Sequence, residues 1–225
     1  TDVLSATRVQ KDFEYSHGLD ADTVWIHRRA GDTDIYYLAN HTDRAQDFDA
    51  RFRVAGKEAE LWHSDTGVIE PASYRIADGR TTVPLHLAER ESVFVVFRHA
   101  TTTAERMLPR PQSTTLKTVA GSWDVSFPPN WGAPAKITLP SLASWTVNAD
   151  QGVKYFSGTA TYTKNLDVPA SWLRPGAKLV LDLGSARDIA EISVNGKSLG
   201  LLWKPPYRVD VTSALKAGAD QLRSE

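Results

Sequence analysis

Paired carboxylates are the residues in this sequence that could carry acid–base chemistry. Three pairs are spaced two residues apart: Asp32 with Asp34, Asp47 with Asp49, and Glu89 with Glu91. Hydrolysis by general acid–base catalysis needs two carboxyl groups, one of them held protonated, on either side of the reacting bond. Because alternate residues of a strand share one face, the members of each pair would lie together, but on the face that water covers. We therefore interpret all three pairs as surface residues and predict no catalytic residue.

Histidine is the second residue type that could do chemistry here. His27 lies in a strand-like run beside Arg28 and Arg29, and the sequence suggests no partner nucleophile for it. We interpret His27 as a structural histidine with satisfied hydrogen bonds, or as a residue at an interface with a domain outside this sequence. His63 and His86 lack the spacing of metal ligands, and the sequence has no cysteine. We therefore predict no metal site and no cofactor.

Aromatic side chains are the remaining ligand candidates, because the C–H faces of sugar rings pack on indole and phenol rings. Five residues in or beside loops form the candidate carbohydrate-binding set: Trp131, Tyr155, Trp203, Lys204 and Tyr207. For each of them, packing in a core or between domains is the alternative interpretation. Trp25, Trp62 and Trp123 lie in strand patterns, so we expect them in cores.

Composition narrows the class of protein that could use these residues. The sequence has 225 residues, an apolar fraction of 41% and a formal net charge of −1. It has no basic tract, which makes binding to nucleic acid improbable. No apolar run approaches the roughly 20 residues that span a bilayer, so we predict no membrane partner. The sequence does not begin with Met, and we expect the true N-terminus to lie upstream.

The first half of the sequence predicts a β-sandwich over residues 23–98. Residues 46–54 alternate cleanly between apolar and polar side chains, as in an antiparallel sheet with one wet face. Further strand-like runs cover residues 23–29, 34–40, 60–63, 74–77, 80–87 and 93–97. Seven or eight short strands separated by turn signals are typical of a sandwich. Residues 1–22 are interpreted as a tail or as a connection from a missing upstream domain.

The second half predicts a jelly roll over residues 116–225, after a linker at residues 99–115 that is rich in Thr, Pro and charged residues. Its central hairpin turns at Asn195-Gly196, a pair that suits a type I′ turn. Pro205 and Pro206 then interrupt the returning strand, because neither can donate a backbone N–H. The sequence stops at residues 221–225, where we expect one more strand to run, so the jelly roll is predicted to lack its last strand.

Two sets of motifs resemble known families. Residues 155–162 (YFSGTATY), 194–197 (VNGK), 206–212 (PYRVDVT) and 215–218 (LKAG) resemble the galactose-binding-like jelly-roll domain of the family 2 glycoside hydrolases. Residues 26–29 (IHRR), 34–37 (DIYY), 60–62 (ELW), 66–67 (TG) and 201–206 (LLWKPP) resemble the C-terminal region of glycoside hydrolase family 106, the α-L-rhamnosidases. This second resemblance covers nearly the whole chain from about residue 24.

The resemblance to family 106 implies a non-catalytic role for these residues. In that family the catalytic barrel precedes the β-domains, and its carboxylates and metal site have no matching positions here. The implied partners are an upstream catalytic barrel and a rhamnose-containing glycan, and the implied location is periplasmic or secreted. The alternatives are a stand-alone carbohydrate-binding module and a purely structural β-scaffold.

Overall fold

The structure is a computed structural model that describes residues 10–16, 22–109, 112–186 and 189–225. The chain divides into two compact units, with the boundary between residues 112 and 113. Within the described ranges, strands make up most of the regular structure and every strand pair is antiparallel. The prediction of an all-β fold is therefore confirmed.

The first unit is built from ten strands within the described residues. They are β1 (Phe13–Tyr15), β2 (Thr23–Ala30), β3 (Thr33–Asn40), β4 (Gln46–Phe52), β5 (Glu60–Trp62), β6 (Ile69–Pro71), β7 (Tyr74–Ala77), β8 (Arg80–Leu87), β9 (Ser92–Phe97) and β10 (Glu105–Arg106). One sheet has the order β1-β4-β8-β7-β10, and we call it sheet I. The other has the order β2-β3-β9-β5-β6, and we call it sheet II.

The core of the first unit lies between sheets I and II. Along β4 the inward residues Phe48, Ala50 and Phe52 are buried, while the residues between them are exposed, as the alternation predicts. Sheet II contributes Tyr36 and Leu38 from β3, which are fully enclosed. Two inner faces that bury alternate residues of each strand are the normal arrangement of a sandwich.

Two segments outside the predicted sandwich take part in its sheets. In the segment interpreted as a tail, β1 pairs with β4, and Phe13 is buried in the core. In the segment interpreted as a linker, β10 pairs with β7. Both strands are too short to show a periodicity of their own, so only pairing with distant residues reveals them. The rest of the predicted tail, residues 1–9 and 17–21, lies outside the described residues.

The second unit has eight strands in its described part: β11 (Trp123–Ser126), β12 (Lys136–Leu139), β13 (Thr161–Val168), β14 (Val180–Asp182), β15 (Ala190–Val194), β16 (Lys197–Leu202), β17 (Arg208–Asp210) and β18 (Gly218–Ser224). Six of them form a sheet of order β12-β11-β13-β18-β15-β16, and β14 pairs with β17. One core cluster surrounds Ile192 and Leu222, and another surrounds Val125 and Phe156. Short helices occupy Trp145–Val147, Gln151–Lys154 (α1) and Ala170–Trp172.

The last described segment of the sequence lies inside the six-stranded sheet. Residues 218–224 form β18, an inner strand that pairs with β13 on one side and β15 on the other. The predicted hairpin turn is confirmed in its backbone, since Asn195 and Gly196 have φ values of 52° and 77°.

Candidate functional site

The predicted binding residues lie on loops at one end of the six-stranded sheet. Ser126 at the end of β11 pairs with Thr161 at the start of β13. Across the sheet, Tyr162 pairs with Ser224, and Ala190 pairs with Leu202 at the end of β16. Three segments adjoin these strand ends: residues 127–135 follow β11, residues 151–160 precede β13, and residues 203–207 follow β16. All three therefore lie at the same end of the sheet. We call this end the aromatic end.

Trp131 lies on a loop whose backbone and indole ring are in close contact with neighbouring residues. Even so, 62% of the surface of Trp131 is exposed. A side-chain carbon added to Gly158 would lie 3.1 Å from the indole ring, so the ring rests directly against that glycine. A carbon added to Gly152 would lie 2.1 Å from the carbonyl oxygen of Gly132, so the backbone of this loop touches α1. Phe156 supports the indole from the side, with ring centroids 6.5 Å apart. The loop therefore presents a supported ring to solvent.

Tyr155 lies beside this loop, at the C-terminal end of α1. The helix starts at Asp150, whose Oδ1 accepts a hydrogen bond from the backbone N–H of Val153 at 3.1 Å. Tyr155 is 72% exposed, and the ammonium group of Lys154 lies 5.4 Å from its ring centroid. An exposed aromatic ring with a neighbouring cation offers both a stacking face and a hydrogen-bond donor to a polar ligand.

The other predicted residues divide between surface and interior. Trp203 is 58% exposed, so its ring is accessible to solvent, and Lys204 is half-buried. Tyr207, by contrast, is only 8% exposed, so its ring is enclosed and offers no face to a sugar. Its place after two prolines indicated a loop, but burial depends on distant residues that the local sequence does not reveal.

The exposed aromatics fall into two separate positions at the aromatic end. Trp131 follows β11, and Trp203 follows β16, which is four strands away in the sheet. At about 4.8 Å between neighbouring strands, the two positions are roughly 19 Å apart. Stacked rings lie only about 4.5–7 Å apart, so one sugar ring could not contact both. The arrangement suits either an extended ligand or two independent contacts.

The three tryptophans that we predicted to lie in cores differ in how far they are buried. Trp123 is buried, as expected. Trp25 is instead exposed on β2, the edge strand of sheet II, with its ring 5.1 Å from Phe13. Trp62 is half-buried and does not belong to the core cluster of the first unit. Trp25 pairs with the buried Leu38, so it lies on the core side of sheet II and is exposed because β2 is an edge strand. Trp62 instead pairs with Phe94 on the opposite face of the sheet.

The predicted carboxylate pairs have ordinary structural contacts. Asp34 Oδ2 accepts a hydrogen bond from Lys57 at 3.1 Å, and Asp47 lies 3.1 Å from His86. Elsewhere, hydrogen bonds from Lys136 and Thr138 lower the pKa of Asp124. A hydrogen bond from Thr212 lowers the pKa of Asp210 in the same way. A carboxyl group with a lowered pKa is ionised near neutrality and cannot act as the general acid of a hydrolase.

His27 is a structural histidine, as predicted. Its Nδ1 lies 2.8 Å from Asp12 Oδ2, and its Nε2 lies 3.2 Å from Asp34 Oδ1. The imidazole stacks on the phenol ring of Tyr36 with centroids 4.0 Å apart. Sequence reasoning missed Asp12, because it lies in a segment without strand periodicity.

The described part of the chain was predicted to hold neither a metal ion nor a membrane span. No group of three or more His, Cys, Asp or Glu side chains there could hold a metal ion. No helix there has the length and apolarity needed to cross a bilayer.

The chain is similar to parts of known glycoside hydrolases. Residues 1–76 match the family 106 model, described as alpha-L-rhamnosidase. A putative beta-glucuronidase of Formosa agariphila is 37% identical over 177 residues, which are 76% of this chain and 15% of that protein. The solved rhamnosidase from Novosphingobium sp. PP1Y is 44% identical, with a TM-score of 0.91, over 99% of this chain and 21% of that one.

The chain therefore spans about a fifth or less of the length of these relatives. The family match lies in the first unit, and the structural match extends over both. Together they show that this chain is similar to a part of a rhamnosidase, and that its first unit matches the model of glycoside hydrolase family 106.

Proposed function

We propose that this chain is a non-catalytic β-region of a larger α-L-rhamnosidase-like glycoside hydrolase. In this role it supports the catalytic barrel, and its aromatic end contacts the rhamnose-containing glycan. The observation that carries the proposal is the match over 99% of this chain, but only 21% of the related chain, with a solved rhamnosidase. The barrel that precedes these domains in the family is then the natural partner of this region.

The carboxyl groups of the chain support the assignment of a non-catalytic role. Cleavage of a glycosidic bond needs one carboxyl group with a raised pKa and a second one about 5 Å or 6.5–9.5 Å from it. Among the described residues, the carboxyl groups whose pKa is shifted are instead stabilised as carboxylates by nearby donors, as Asp43 is by Arg90. Asp34, whose side chain is 13% exposed, is hydrogen-bonded to His27 and Lys57.

Trp131 and Tyr155 are the residues that we assign to glycan contact. Both rings are largely exposed, and the ring of Trp131 is fixed from below by Gly158 and Phe156. A ring that is already immobilised loses little conformational entropy when a ligand stacks on it. Trp203 provides the second, separate contact at the other side of the aromatic end.

Titration calorimetry of the 225-residue chain with rhamnose-containing oligosaccharides tests this assignment. We expect Trp131→Ala and Tyr155→Ala each to weaken binding about tenfold, which corresponds to roughly 1.4 kcal/mol. Val180→Ala, which removes a similarly exposed apolar side chain from β14, is the control and should bind as the wild type does. If the wild-type chain binds none of these oligosaccharides, the region is a structural scaffold without a glycan site.

A further inference from the structure

The outer face of sheet I in the first unit is polar, as expected for a sandwich in water. Five cross-strand neighbours form one row across all five of its strands: Glu14, Arg51, Thr82, Arg75 and Glu105. Directly paired residues of antiparallel strands point to the same side of a sheet, so this row shares one face. Every member of the row is charged or polar, with an acid at each end and an arginine on either side of Thr82, so the row suits contact with water.

The corresponding row on sheet II is apolar. Its five members are Ile26 of β2, Tyr37 of β3, Phe94 of β9, Trp62 of β5 and Ile69 of β6. The residues that alternate with them on the inner strands, such as Tyr36, Leu61 and Val95, belong to or pack against the core. The row therefore lies on the side of sheet II that faces away from sheet I. We call these five residues the apolar face.

The apolar face is continuous and partly accessible. Ile26 and Ile69, at its two edges, are 45% and 50% exposed, and the three aromatic residues between them are half-buried. Tyr37 and Phe94 contact each other, with ring centroids 5.1 Å apart. With strands about 4.8 Å apart, the row is roughly 19 Å wide. A contiguous apolar surface of this size on a folded domain typically marks a contact with another protein surface.

The hydrogen bonds that polar atoms already make at the apolar face indicate what kind of partner surface could pack on it. The indole Nε1 of Trp62 already donates to Glu60 Oε2 at 2.9 Å. The guanidinium group of Arg98 lies over the same indole at 5.1 Å and donates to Glu60 at 2.9 Å. Because the indole N–H is satisfied within the unit, a partner needs to offer it no acceptor, and an apolar surface fits.

We propose that the apolar face docks against an apolar surface of another domain of the same longer polypeptide. This inference rests on the proposed function, namely that the chain is part of a larger glycoside hydrolase. About four fifths of the related rhamnosidase lies outside the match, which leaves ample chain to supply such a domain. The family match over residues 1–76 includes four of the five residues of the apolar face. Contacts of this kind between domains of one chain are common and moderate in area.

Hydroxyl-radical footprinting tests the docking, because it reports the accessibility of individual side chains. The 225-residue chain and the longer polypeptide encoded by the same gene are labelled in parallel. We expect Tyr37, Trp62 and Phe94 to be modified at least about fivefold more slowly in the longer protein. Equal modification of these three residues in both proteins would overturn the proposal. Self-association of the 225-residue chain through this face, seen by sedimentation and retained in the longer protein, would also overturn it.

A double variant, Ile26→Lys with Ile69→Lys, places two charges at the edges of the apolar face. It should abolish the protection of Trp62 in the longer protein, while the 225-residue chain keeps its melting temperature. Leu142→Lys with Val180→Lys adds the same charge at similarly exposed positions of the second unit and should leave the protection intact. Protection that survives the first double variant would contradict the docking. Hydrolysis of an aryl α-L-rhamnoside by the longer protein reports separately on the proposed function.

Discussion

Nδ1 of His27 lies 2.8 Å from Oδ2 of Asp12, which joins the segment before β1 to the edge strand β2 of the opposite sheet. Asp12 also accepts hydrogen bonds through Oδ1 from Arg53 Nη2 at 3.0 Å and from the hydroxyl of Tyr36 at 3.4 Å. The carboxylate of Asp12 thus connects three parts of the first unit that are distant in sequence. Its side chain and that of His27 are mostly enclosed, so these contacts are poorly replaced by water.

Asp12→Ala should destabilise the first unit by about 1–3 kcal/mol, because it leaves His27, Arg53 and Tyr36 without this acceptor. Asp47→Ala is the matched control, since Asp47 also pairs with a histidine, His86, across two strands, but both side chains are largely exposed. The control should change stability little. Chemical denaturation at pH 7 measures both effects. Equal losses in the two variants would show that enclosure of the Asp12 cluster contributes nothing.

The ionisation of Tyr36 should make the stability of the first unit depend on pH in the alkaline range. Burial, followed by the nearby charges of Asp12 and Asp34, raises the pKa of the Tyr36 phenol well above its ordinary value. Above pH of about 10 the unfolded chain loses the phenol proton while the folded chain keeps it. The contribution of Tyr36 to the free energy of unfolding is therefore complete below that pH. It is lost as the pH rises further, and the free energy of unfolding then falls by at most about 1.4 kcal/mol per pH unit.

Tyr36→Phe should flatten the fall in unfolding free energy between pH 10 and 12. Denaturant titrations at several pH values in that range measure the slope. Burial also raises the pKa of Tyr162 in the second unit, so Tyr162→Phe should flatten the slope for that unit in the same way. A slope in Tyr36→Phe as steep as that of the wild type would contradict the account of this residue.

The local pattern of the sequence predicted those parts of the fold that depend on near neighbours. The alternation along residues 46–52 and the turn at Asn195-Gly196 are set within a few residues, and both are confirmed. The strand β1 was missed because three residues cannot show a period and its pairing with β4 is a long-range contact. Sequence also could not tell that Tyr207 is buried, because its place after two prolines indicates only a loop.

The apolar face shows a second limit of sequence reasoning. Trp62 was assigned to a core because it is apolar and lies in a strand pattern. Its position on the outer face emerges only from the register that aligns it with Phe94 and Ile69 across two neighbouring strands. An apolar residue on a strand has two faces available to it, and the strand partners, which the sequence does not reveal, decide which face is buried.

Gly196 at the central hairpin turn should tolerate no β-branched residue. Its φ of 77° is unfavourable for side chains, whereas an added carbon would meet no atom within 4 Å. The cost of Gly196→Val is therefore one of backbone conformation, on the order of 1–3 kcal/mol. Thermal unfolding measures it, with Lys197→Ala as a neighbouring control outside the turn. An unchanged melting temperature in Gly196→Val would contradict the turn assignment.

Gly152 should be essential for the position of the Trp131 loop. In Gly152→Ala the new carbon would lie 2.1 Å from the carbonyl oxygen of Gly132, so the loop must move away from α1. We expect a loss of roughly 1–3 kcal/mol in stability and weaker binding of glycan by Trp131. Gln151→Ala, on the exposed side of the same helix, is the control. Intrinsic tryptophan fluorescence and thermal unfolding together report the displacement.

The central claim is that a catalytic domain of the longer protein hydrolyses the substrate and that this region does not. One assay tests this claim most directly. Purified 225-residue chain, free of host glycosidases, is compared with the longer polypeptide on an aryl α-L-rhamnoside. We predict turnover by the longer protein and none by the 225-residue chain. Turnover by the 225-residue chain that is lost when one of its own carboxylates, such as Asp34, is replaced by Asn would contradict the account.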